Sequence, residues 1–207
     1  MKTTAFLNRR KFLQQASVYL VSAKAYFLGD NAAHAEQIIT GNACSYYGER
    51  MPYSVTSFRS HGEAEHVIQE ILNVTGLHRK NFRVKPADVP NAAAVIHNQE
   101  RYILYNLDFM RAIQQYTHNR WTGVSIMAHE IGHHLESHTL DSGGSRPDSE
   151  LEADSYSGFI IAKLGGSLED AQVAMRVLGS EHGSSTHPAK HRRLAAIRAG
   201  WQRGHQH

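Results

Sequence analysis

The stretch His129-Glu130-Ile131-Gly132-His133, inside WTGVSIMAHEIGHHLESHT, constrains this chain more than any other. A helix puts residues four apart on one face, so His129 and His133 are placed to grip a single metal ion. Glu130 stands beside them, where a hydrolytic zinc site needs a general base. Val124, Ala128, Ile131 and Leu135 repeat at helical spacing on the opposite side. The spacing predicts a helix over 122–139, with one face on a core and the other turned to a cleft. A hydrolytic zinc site uses three protein ligands and keeps a further position for water. The rest of the chain must therefore supply one more donor.

The third donor separates the classes. A long metzincin pattern places glycine at position 136 and histidine at 139; the chain has Glu136 and Thr139, which excludes it. Seventeen residues after His133 comes Glu150, in Glu150-Leu151-Glu152-Ala153-Asp154 near the start of a further helix. Glu150 is the candidate third ligand. Asp154, one helical turn on, is placed to hold the far ring nitrogen of a ligand histidine. Taken singly, Glu150 and Glu152 also read as first-turn acids that favour the helix dipole. A second pair at the same spacing, His134 and His138, has no adjacent glutamate and reads as structural. It shows how readily such pairs arise in a chain with fifteen histidines.

The segments AHEIGHHLESH, ELEADSYS and STHPAKHRRL together resemble a zinc-peptidase family of gluzincin type. That family includes the CAAX prenyl proteases, the HtpX-like membrane proteases and the BepA-like periplasmic proteases. The resemblance spans about residues 90–197 and implies a zincin-like α+β fold, mainly helical, with a small sheet or hairpin beside the active-site helix. It implies a peptidase with one Zn²⁺ per chain. It makes His187, in the His187-Pro188 segment, a candidate oxyanion donor or a ligand that occludes the open zinc position; a plain loop histidine is the alternative. Arg193 is either a partner for an acid near the site or part of a solvated basic run from Lys190. Unlike those relatives, the chain is expected to carry neither membrane helices nor a helical-repeat domain after the His-Pro segment, which argues against a chaperone role or docking to a large assembly.

Residues 1–35 read as a twin-arginine export signal: Asn8-Arg9-Arg10-Lys11-Phe12-Leu13-Gln14, a mildly apolar run from Ala16 to Leu28, then Ala33-His34-Ala35 before Glu36. The alternative is an amphipathic N-terminal helix. The expected location is the periplasm or the medium. The formal charge of +3 resides here, because removing this segment leaves 17 basic against 18 acidic residues. The basic balance therefore gives no support to a nucleic-acid partner. Nothing after residue 35 is long and apolar enough to span a bilayer.

Residues 36–60 read as an irregular arm, with Cys44 as a small packed residue; a single cysteine excludes an internal disulfide or a Cys-based metal site. The zinc domain is expected over 61–200, with 201–207 as a flexible tail. Within it, Ala64, Val67, Ile68, Ile71 and Leu72 predict a helix ended by Gly76, and 82–85 a short strand. Residues 92–97 and 101–105 predict a hairpin, Asn106 caps a helix over 107–116, and Asp148 or Ser149 caps the helix carrying Glu150. Ser167 caps another helix, and a last one covers 189–199.

The expected function is hydrolysis of peptide bonds in exported or envelope proteins, with an edge strand of the 92–105 hairpin binding an extended substrate. Two other classes stay open: a zinc-binding chaperone or interaction module with weak catalysis, and a zinc hydrolase acting on a non-protein amide.

Overall fold

The computed structural model describes residues 43–45, 62–77, 79–138 and 146–206. The segments expected to form a leader and most of an irregular arm, the Cys44 side chain and the expected loop at 141–145 lie outside the described residues.

The chain is α+β. Its elements run β1 (Ala43–Ser45), α1 (Gly62–Thr75), β2 (Arg83–Pro86), β3 (Ala92–His97), β4 (Glu100–Tyr105), α2 (Leu107–Thr117), α3 (Trp121–Leu135), α4 (Pro147–Lys163), α5 (Leu168–Leu178) and α6 (Lys190–His205). Four strands form one sheet in the order β1-β3-β4-β2. β3 and β4 are the expected hairpin, with Ala94 opposite Ile103 and His97 opposite Glu100. Asn98 and Gln99 close it with positive φ at both positions, 48° and 64°. Such a two-residue turn matches the strand twist. β2 runs parallel to β4, and β1 antiparallel to β3. Alternate residues Ala93, Val95, Tyr102 and Leu104 join Ala87 and Val89 in an apolar cluster.

The expected strand edge is not open. β1 lies along β3 with Cys44 opposite Ala94, so both hairpin strands are flanked on both sides. No local pattern announces a three-residue strand whose pairing is entirely long-range.

Most helix signals act as the sequence predicts. Asn106 Oδ1 accepts from Phe109 N at 2.9 Å, and Ser167 with Asp170 forms a capping box. Three expectations need correction. α4 starts at Pro147 rather than being capped by Asp148 or Ser149, because proline's fixed φ suits the first helical position, where no N–H is needed. α3 stops at Leu135, which is 38% exposed, so the apolar stripe ends at Ile131. Residues 201–205 are not a flexible tail: they continue α6, with Trp201 Nε1 donating to Gly166 O at 2.9 Å.

Close helix approach explains that extension. A Cβ on Gly200 would stand 1.7 Å from Ser155 O in α4, and one on Gly158 would stand 2.0 Å from Ile197 O in α6. Only glycine lets the two backbones meet there. Gly200→Ala is therefore expected to cost about 1–3 kcal/mol or more through forced separation. Gly62→Ala serves as control, because nothing lies within 4 Å of its added Cβ. Denaturant midpoints of the two variants check this.

Candidate metal and catalytic site

Three helices and one loop bring the predicted residues together. α3 carries His129, Glu130 and His133; α4 carries Glu150 and Asp154. α6 carries Arg193, and the turn before it carries His187. Gly132, between the two histidines, sets the helix distance: a Cβ there would lie 3.1 Å from Ala153 Cα. α4 thus comes close enough for Glu150 to reach both rings.

His129 Nε2 and His133 Nε2 are 3.1 Å apart. Glu150 places Oε2 3.4 Å from His129 Nε2 and Oε1 3.4 Å from His133 Nε2. The three side chains form a buried group with metal-ligand spacing. The donor set suits zinc: bonds of about 2.0–2.1 Å in a tetrahedral arrangement put neighbouring donors roughly 3.3 Å apart. Glu150 is fully buried, and neither of its oxygens makes a hydrogen bond of good geometry among the described residues. Arg193 Nη2, 3.2 Å from Oε2, offsets its charge, while Oε1 faces His133 Nε2.

Outer contacts fix the rings. Asp154 Oδ1 lies 3.0 Å from His129 Nδ1, a contact that favours the proton on Nδ1 and leaves Nε2 turned to the centre. Arg193 clamps Asp154 with Nε at 2.6 Å from Oδ2 and Nη2 at 2.9 Å from Oδ1, and it also reaches Glu150 Oε2 at 3.2 Å. Arg193 is thus a partner of the site's acids, not part of a solvated run. His187 reaches the site too, its Nε2 standing 3.2 Å from Glu150 Oε2 and its Nδ1 2.9 Å from Thr186 Oγ1. Facing a carboxylate, Nε2 carries the proton and Nδ1 accepts from the threonine hydroxyl. The backbone N–H of His187 donates to Ser184 Oγ at 3.0 Å, which holds the turn.

Glu130 is fully buried, with Oε2 accepting from Ala94 N at 2.7 Å and Oε1 without a hydrogen bond among the described residues. Burial pushes its carboxyl up to about 8, against the pull of His129. Such a group takes and returns protons near neutrality. Burial opposes ionisation of Glu150, but its histidine contacts hold its carboxyl well below the usual range. Burial also opposes ionisation of Asp154, and Arg193 holds that carboxyl low. Burial lowers His133 to about 4, which keeps it neutral, as a ligand must be. Burial works against a charge on His129 as well, yet Asp154 and Glu150 hold it up at about 9. A metal held here would have to displace a proton from its Nε2.

Two features differ from the sequence expectation. The ligand face of α3 does not open on a cleft: His129, Glu130, His133 and Glu150 are each 0% exposed. His134 and His138 also part company. His134 is structural, with Nε2 2.8 Å from Tyr102 O and its ring stacked on Phe82. His138 instead meets His133 Nδ1 at 3.1 Å. The Ala94 N–H contact to Glu130 carries no side-chain signal in the sequence.

No family model matches the chain, and neither does any curated protein or solved structure.

Proposed function

We propose that the chain is a zinc metalloendopeptidase of gluzincin type, with a zincin-like arrangement of α3, α4 and the adjoining sheet. The observation that carries this reading is the buried His129–His133–Glu150 group with Glu130 beside it. Those three side chains would hold one zinc ion, whose Lewis acidity acidifies water and polarises a carbonyl.

The chain's own residues account for the remaining chemistry. The Ala94 N–H fixes Glu130 Oε2 and leaves Oε1 free to take a proton from the attacking water. Glu130 then returns that proton to the leaving amine. His187, with its proton on Nε2, is the donor for negative charge developing on the substrate oxygen. Asp154 and Arg193 keep His129 in one tautomer and orientation. An extended substrate strand that enters along β3 exchanges with β1, which occupies that edge. The twin-arginine leader makes exported or envelope proteins the expected substrates. Among the described residues no helix is long and apolar enough to cross a membrane.

Incubation of the zinc-loaded protein with a denatured protein substrate, with and without chelator, tests the reading. Cleavage that stops with chelator and returns with zinc is expected. Bound zinc without cleavage of any unfolded protein would overturn the peptidase reading, favouring a binding module or a hydrolase of non-protein amides.

A further inference from the structure

His138 lies just past the end of α3, where Glu136 and Ser137 leave the helix and Ser137 adopts a φ of 61°. A non-glycine residue in this left-handed region costs on the order of 1 kcal/mol, so the turn is held by what it achieves. It folds the chain back until His138, 7% exposed, sits edge-on to His133 with ring centroids 5.3 Å apart. His138 Nδ1 is 3.1 Å from His133 Nδ1, and its Nε2 is 2.7 Å from Glu152 Oε2.

The proton positions in this chain of three groups are set from its outer end. The Glu152 carboxylate only accepts, so His138 donates from Nε2. The bare Nδ1 of His138 then accepts from His133 Nδ1–H. His133 is left with a bare Nε2 directed at His129 and Glu150. Asp154 does the same for His129 from the other side of the cluster. The two ligand histidines are thus oriented by two separate devices, one inside the fold and one reaching the surface, since the Glu152 side chain is 60% exposed.

We propose that His138, held by Glu152, is the positioning residue for the ligand His133. This rests on the zinc-site reading above. His138 touches neither substrate nor metal; it acts through His133, and Glu152 selects its tautomer. Glu152 stands between Glu150 and Asp154 in the same motif, so one helix turn of α4 supplies a ligand and an acidic contact for each of the two orienting devices.

The test is zinc affinity of the whole chain, measured by competition with a chromophoric chelator, alongside the apo melting temperature. His138→Ala should weaken zinc binding roughly 10–100-fold with the apo melting temperature unchanged. His138→Gln, whose amide oxygen can still accept from His133, should recover most of that loss. Glu152→Ala should weaken binding by a smaller factor. Unchanged affinity in His138→Ala overturns the proposal. So does a loss that Gln fails to restore and that tracks a lower apo melting temperature, because His138 would then be a packing residue. A wild-type chain that binds no zinc overturns the metal site and this role together. Zinc binding without peptide cleavage overturns only the peptidase reading, since the affinity series still decides the role of His138.

Discussion

Glu130→Gln should retain zinc at wild-type stoichiometry and lose hydrolysis of unfolded protein by about 10²–10⁴-fold, the usual contribution of a general base. The amide is nearly isosteric and its oxygen still accepts from Ala94 N, so the contact between β3 and α3 survives. The lost function is proton transfer at Oε1, which has no other task among the described residues. Parallel assays of metal content and cleavage rate separate this from collapse of the site. Undiminished cleavage at full zinc content would remove Glu130 from the chemistry.

Arg193→Ala is expected to be the most damaging single change to stability. Arg193 is 4% exposed and sits between Asp154 at 1% and Glu150 at 0%. Its removal strands two buried carboxylates without their cation, a loss of about 3–5 kcal/mol. For a domain of this size that lowers the apo melting temperature by roughly 10 °C. Arg193→Lys keeps the charge but not the two-pronged grip on Asp154, and should fall between. Added zinc should recover part of the lost stability by binding the folded state. A melt of Arg193→Ala at the wild-type temperature would show that the clamp does not hold these acids.

Local patterns made much of the centre legible. The four-residue spacing of His129 and His133 is a property of any helix, and Glu150 and Asp154 repeat it on the next one. The caps at Asn106 and Ser167 are likewise local. What the sequence hid depends on distant partners. Residues 201–205 stay helical because Gly200 and Gly204 let α6 press on α4, a fact about two surfaces rather than one segment. β1 is too short for any alternation and exists through its pairing with β3. His138 looked like the second half of a helical pair with His134, and only the reversal at Ser137 turns it toward His133. Arg193 stood in a basic run, and its burial follows from where α6 lands.

The shared site is tested most directly by X-ray absorption at the zinc edge of the loaded protein. The expected result is one zinc per chain with only nitrogen and oxygen neighbours at about 2.0–2.1 Å, two of them imidazoles that disappear one at a time in His129→Ala and His133→Ala. A sulfur neighbour at about 2.3 Å, or a spectrum that neither substitution alters, would place the metal elsewhere and contradict the assignment.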